Sequence, residues 1–194
     1  MTRQPGQTVM ELCAGGGGSS LGLEAAGFRH GALVEIDADC CATLRLNRPG
    51  WLIRQGSIAE VDGRLAYGVD LISAGLPCTP HSRGGRQLGA DDERHLWADA
   101  LRIIGEAMPR AVLIETADAI LTPKFGAERE VTLEHLGALG YTGGAGRGQR
   151  EPVRRPAAPP PGGLGRLPRA GRSGCLPLAS AVTRSGAHGR RHAL

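Results

Sequence analysis

Between Thr8 and Thr142 short apolar runs alternate with longer segments of helical period. That alternation restricts the chain to an α/β fold, with parallel strands joined by crossover helices. The runs that read as strands are Thr8–Cys13, Gly31–Ile36, Val69–Ala74 and Arg110–Glu115. A first helix is expected to start with Ser19 or Ser20 as its cap, to carry Leu21 and Ala25, and to stop at Gly27. A second spans Ala38 to Asn47 and is closed by Pro49; a third spans His95 to Met108, with Leu96, Leu101, Ile104 and Met108 on one face; a fourth spans Glu128 to Leu139.

Beyond Tyr141 the periodicity stops. Residues 143–194 hold 10 Arg, one Glu, 11 Gly and 7 Pro, a net charge of +9, whereas residues 1–142 hold 18 acidic and 13 basic side chains, a net −5. The sequence pI of about 9.1 therefore comes from the tail and says nothing about nucleic-acid binding by the folded part. Hydrophobic residues in the tail are too sparse to offset the entropy of ordering it, so it reads as disordered. The expected organisation is a partial catalytic domain over residues 1–142 followed by an Arg/Pro/Gly tail over 143–194.

The five cysteines, Cys13, Cys40, Cys41, Cys78 and Cys175, show no CxxC or Cys/His spacing, so no metal is expected. The polar start from Met1 to Gln7 and the lack of an 18-residue apolar run point to a reducing cytoplasm, with no membrane partner.

Two motifs carry chemistry. Glu11-Leu12-Cys13-Ala14-Gly15-Gly16-Gly17-Gly18 is a strand that breaks into glycines ahead of a helix, where the backbone can turn tightly and approach a ligand. Twenty residues after Gly15 stands Glu35, at the end of the second strand, where an acid can accept hydrogen bonds from ribose hydroxyls. The pair reads as an adenosine-cofactor site, and by itself leaves a dinucleotide and S-adenosylmethionine both open. Gly75-Leu76-Pro77-Cys78-Thr79-Pro80-His81-Ser82 then follows the third strand and holds Cys78 between two prolines at the sheet's carboxyl edge, positioned to react. Glu115 ends the next strand, and consecutive parallel strand ends can bring it to the opposite side of one pocket. A thiolate adds to C6 of a pyrimidine only if charge developing in the ring is neutralised. A carboxyl at N3 does this when its pKa is raised by burial, as expected for Glu115.

Taken together in this order, the residues resemble the DNA cytosine-5 methyltransferase family over roughly positions 8–142. Glu11 to Gly18 is similar to the family's first motif, Asp-Leu-Phe-x-Gly-x-Gly-Gly; Leu76-Pro77-Cys78 looks like its Pro-Cys loop; Arg94 and Leu96 resemble its Arg-x-Leu motif; and Glu115 matches the Glu of Glu-Asn-Val. The resemblance implies a Rossmann-like S-adenosylmethionine-dependent fold with an incomplete parallel sheet. It implies a cofactor site made by Ala14, Gly15, Gly17, Glu35, Ile36, Ser57, Ile58 and Pro77, and double-stranded DNA with a flipped-out cytosine as partner. It also implies catalysis by Cys78 adding to C6 and Glu115 acting at N3, under a loop like Ser82–Gly89.

The sequence departs from the family pattern at several positions. Ser57 replaces the Asp that contacts the adenine amino group, Cys13 a Phe near the cofactor, Thr79 and His81 a Gln and Phe, and Thr116-Ala117 an Asn-Val. The family's Gln-x-Arg-x-Arg segment, its DNA-reading domain and its final helix find no counterpart, since Arg147–Arg155 lacks a surrounding strand pattern. Three alternatives follow: a tRNA cytosine-5 methyltransferase, which would share Cys78 and Glu115; an inactive truncated remnant; and a nicotinamide-dependent dehydrogenase, which would leave the Pro-Cys-x-Pro loop unexplained. The tail reads as a frame-shifted remainder of the enzyme from about residue 142. Codons chosen from those permitted for Arg147 to Leu167, read one base on, can spell a Gln-x-Arg-x-Arg segment followed by an apolar strand.

Overall fold

The computed structural model describes residues 6–77 and 96–146, and the backbone of 178–184. Its strands are β1 (Thr8–Leu12), β2 (Arg29–Glu35), β3 (Ile53–Gln55), β4 (Leu71–Gly75), β5 (Ala111–Thr116), β6 (Tyr141–Gly143) and β7 (Leu178–Arg184). Its helices are α1 (Gly18–Ala25), α2 (Ala38–Asn47), α3 (Trp97–Ala107) and α4 (Gly126–Ala138). One sheet contains all seven strands in the order β3-β2-β1-β4-β5-β7-β6. The neighbours from β3 to β5 are parallel, as the apolar runs predict, and β7 runs antiparallel to both β5 and β6.

The chain moves outward from β1 through β2 to β3, then crosses to β4 on the other side of β1. The sheet thus has a switch point between β1 and β4, the position where open α/β sheets bind ligands. Strands β1 and β4 are buried on both faces through Val9–Leu12 and Leu71–Ala74, which explains their near-continuous apolar sequence. Ile103, Ile104, Ala100 and Ala107 of α3 pack into the same core as Ile72, Val112 and Leu12.

Three local expectations are corrected, and two short strands are added. The first helix is capped by Gly17, in the left-handed conformation at φ 89°, and not by Ser19 or Ser20; no side chain bonds its N-terminus, and Ser20 is buried within it. The glycine loop itself turns the chain into the helix, so a hydroxyl cap is not needed. In α3 the buried stripe is Trp97, Ala100, Ile103, Ile104 and Ala107, with Leu101 only half-buried. The short β3 and β6 do not stand out in the sequence, because three residues are too few to show a period. Finally, the tail contains a strand: Leu178–Arg184 pairs with β5 from Ala111↔Thr183 to Thr116↔Leu178, and with β6. This stretch is free of Gly and Pro and includes the β-branched Val182 and Thr183. It fills the place between β5 and β6, whose backbone donors and acceptors would otherwise form open edges.

Candidate active site

The glycine loop is a backbone device before it is a binding surface. Cys13, Gly15 and Gly17 all have left-handed φ, at 57°, 54° and 89°. Gly17 packs so closely against α2 that a Cβ there would lie 2.6 Å from Leu44 Cδ2. Above Gly15, Gly16 and Gly18 the space is open, with nothing within 4 Å of a built Cβ. The loop is thus tight on its inner side and bare on its outer side, which is the shape needed for backbone to approach a ligand.

Glu35 fixes this loop in place. The residue is buried, its Oε2 accepts the N–H of Gly15 at 2.7 Å, and its Oε1 accepts the N–H of Asp37 at 2.8 Å. Asp37 in turn caps α2 by accepting the Cys40 N–H at 2.8 Å. Each Glu35 oxygen uses one lone pair this way and keeps another for a ligand hydroxyl.

A cavity of about 270 Å³ opens beside this carboxylate, with Cys13, Gly15, Val34, Glu35, Ile36, Gly56, Ser57, Ile58, Gly75, Pro77 and Leu96 on its walls. Six of the eight cofactor residues expected from sequence therefore meet around one space: Gly15, Glu35, Ile36, Ser57, Ile58 and Pro77. Ala14 instead lines a neighbouring cavity, and Gly17 lines neither, its role being the close contact with Leu44. Ser57 caps a 3-10 turn, Ile58–Glu60, through Oγ accepting the Ala59 N–H at 3.2 Å, and its hydroxyl proton remains available. The residues fit an adenosine-type ligand: an open glycine cradle, a buried acid, and an apolar wall of Val34, Ile36 and Ile58.

Arg102 braces this wall from α3. Its guanidinium donates to the carbonyls of Val61 at 2.8 Å, Ile58 at 3.2 Å and Ala59 at 3.2 Å, and pairs with Glu106 and Asp99. Glu106 also accepts the N–H of Gly63 at 2.6 Å. No motif signals this role, because it depends on where α3 lies relative to a turn 41 residues earlier.

The second cavity, of about 180 Å³, is lined by Glu11, Leu12, Cys13, Ala14, Ser19, Gly75, Leu76 and Glu115. Glu115 is half-buried, and its carbonyl accepts the Leu76 N–H at 3.1 Å, tying the end of β5 to the segment after β4. Thr116, where the family has Asn, is buried with its hydroxyl unpartnered among the described residues. Cys78, Thr79, His81, the Ser82–Gly89 segment, Arg94 and Cys175 lie outside the described residues.

Glu11 is a feature that sequence reading took only as part of a glycine motif. It sits in the central strand with its carboxyl 3.0 Å from His30 Nδ1, and the two side chains are 2% and 1% exposed. Burial pushes the Glu11 carboxyl up to about 7, and burial holds the His30 imidazolium below its ordinary range. His30 Nε2 lies 3.0 Å from the Ser20 carbonyl, which can only accept, so Nε2 carries the ring proton and Nδ1 is the acceptor. The two side chains lie in close contact, but neither Glu11 Oε1 nor His30 Nδ1 has a hydrogen-bond partner of good geometry among the described residues.

Among the described residues no helix is long and apolar enough to cross a membrane, and no group of three or more His, Cys, Asp or Glu could hold a metal ion.

Residues 7–144 match the family model of the C-5 cytosine-specific DNA methylase. The chain is 46% identical over 136 residues to the Type II methyltransferase M.NgoMIV of Neisseria gonorrhoeae, an alignment covering 70% of this chain and 44% of that protein. It is 40% identical to the Type II methyltransferase M.NaeI of Lentzea aerocolonigenes, covering 69% of this chain and 33% of that one. The chain thus spans less than half the length of these relatives. In fold it is similar to a DNMT2 mutant of Spodoptera frugiperda, with a TM-score of 0.62 at 17% identity, covering 92% of this chain and 50% of that one. The chain belongs to the C-5 cytosine-specific DNA methylase family.

Proposed function

We propose that this chain provides the S-adenosylmethionine site and the catalytic groups of a DNA cytosine-5 methyltransferase. The observation that carries the reading is that Glu35 and Glu115 line two adjoining cavities at the carboxyl edge of one sheet, on either side of its switch point. The larger cavity suits the adenosine of the cofactor, with Glu35 accepting from ribose hydroxyls and Ser57 near the adenine. The smaller one suits a pyrimidine turned out of the duplex, since C6 is unreachable in a stacked base.

In this reading Cys78, bonded to the cavity-lining Pro77, adds as thiolate to C6 of cytosine. Glu115 meets the charge that develops in the ring, by donating a proton or hydrogen bond to N3, and C5 becomes nucleophilic. When bound, S-adenosylmethionine supplies an electrophilic methyl group to C5. Removal of the C5 proton and expulsion of the Cys78 thiolate restore the ring.

Calorimetry tests the cofactor assignment. S-adenosylmethionine is expected to bind, weakly because Ser57 replaces a carboxylate, and binding should be lost in Glu35→Ala. Equal or tighter binding of NAD overturns it. DNA bearing 5-fluorocytosine tests the nucleophile, because fluorine blocks the last elimination and traps the adduct. An adduct that persists in Cys78→Ala assigns the nucleophile elsewhere, and trapping on tRNA in place of DNA changes the substrate class.

A further inference from the structure

The two cavities share two lining residues, Cys13 and Gly75. Register explains why. Leu12 pairs with Ala74, so Cys13, where β1 ends, follows beside Gly75, whose added Cβ would meet its carbonyl oxygen; Gly75 itself pairs with Glu115. Cys13, Gly75 and Glu115 therefore stand together at the sheet's carboxyl edge, with Glu35 on the far side of the glycine loop. In β4, Leu71–Ala74 are buried and Gly75 alone is exposed. A Cβ at Gly75 would stand 3.1 Å from the Cys13 carbonyl oxygen, so a side chain here would narrow the gap between the strand ends.

We propose that the gap at Gly75 is the aperture joining the cofactor cavity to the target-base cavity, that the sulfonium substituent to be transferred projects through it, and that Cys13 sets how large that substituent can be. The proposal rests on the cofactor reading above. It assigns the glycine a reason beyond turn geometry: Gly75 has no left-handed φ, and its missing side chain is needed as space. It also gives the thiol a compatible chemistry. Burial, reinforced by the Glu35 charge, pushes the Cys13 thiol up to about 12, so it stays protonated and does not take the methyl group itself.

The experiment is calorimetry on the full chain with three ligands that differ only at sulfur: S-adenosylhomocysteine, S-adenosylmethionine and the S-propargyl analogue of the latter. In the wild type the propargyl compound should bind about 10-fold or more weakly than the methyl compound, the size of effect expected when a pocket is short by a methylene or two. Gly75→Ala should leave S-adenosylhomocysteine within about 3-fold of wild type while weakening S-adenosylmethionine about 10-fold. Cys13→Ala should remove most of the discrimination against the propargyl compound, and Cys13→Ser, which keeps the volume, should preserve it. If Gly75→Ala does not fold, the two Cys13 variants decide. Equal changes for all three ligands, or an unchanged propargyl-to-methyl ratio in Cys13→Ala, overturn the aperture while leaving the cofactor site standing. Failure of the wild type to bind any of the three overturns the cofactor reading and the aperture with it.

Discussion

The carboxylate of Glu35 accepts the backbone N–H of Gly15 at 2.7 Å across 20 residues of sequence, so the acid that faces the larger cavity also holds the glycine loop in shape. Glu35→Gln keeps one acceptor and turns the other into a donor facing an N–H. It should lower folding stability by about 2 kcal/mol, the scale of a charge-assisted hydrogen bond, and weaken cofactor binding as well. Urea denaturation and calorimetry on the same variant measure the two effects. Unchanged stability would mean that the loop holds without Glu35.

The buried Glu11–His30 pair predicts an unusual pH profile. In the unfolded chain the proton sits on His30 between the ordinary values of 4.5 and 6.5, with Glu11 ionised; in the folded chain it sits on Glu11, raised to about 7, while His30 is lowered. Over that window the raised acid and the lowered base act in opposite senses on the proton count, so the pair adds little slope. Glu11→Gln removes only the carboxyl. The unfolded His30 then still gains a proton below 6.5 while the folded one resists, so stability falls with falling pH. Relative to wild type, the variant should lose stability as the pH falls from 6.5 toward 4.5. Urea midpoints at pH 5, 5.75 and 6.5 test this, and parallel curves for the two proteins would sink it.

Two adjacent glycines should behave oppositely. At Gly17 a methyl group meets Leu44 Cδ2 at 2.6 Å and the backbone is left-handed, so Gly17→Ala should cost about 1–3 kcal/mol. At Gly16 nothing lies within 4 Å, and Gly16→Ala should fold with wild-type stability to within about 0.5 kcal/mol. Thermal unfolding of the pair distinguishes structural from binding constraint on the loop, since both substitutions touch the same motif.

Arg102→Lys should not rescue what Arg102→Met loses. The guanidinium reaches the Val61, Ile58 and Ala59 carbonyls together, and an ammonium cannot span them with the same geometry. Both variants should be destabilised by about 1–2 kcal/mol and show weaker cofactor binding, because the Ser57–Ile58 wall is no longer braced. Full recovery with lysine would show that charge alone matters there.

What the sequence determined by itself is local or carried by order along the chain. Continuous apolar runs mark β1 and β4 because both faces of those strands are buried, and α2 is legible to the residue because Pro49 closes it. The order of glycine loop, Glu35, Pro77-Cys78 and Glu115 along the chain carries the resemblance to the family that the comparisons then show. The tertiary structure decided what depends on partners far away in sequence. Leu178–Arg184 becomes a strand because β5 and β6 leave a place between them, and nothing within those seven residues signals that pairing. Glu11 becomes a carboxyl poised near neutrality because β1 is a central strand and buries it. Gly75 becomes a gap between two cavities because register sets it beside Cys13 and Glu115, a relation that only the assembled sheet contains.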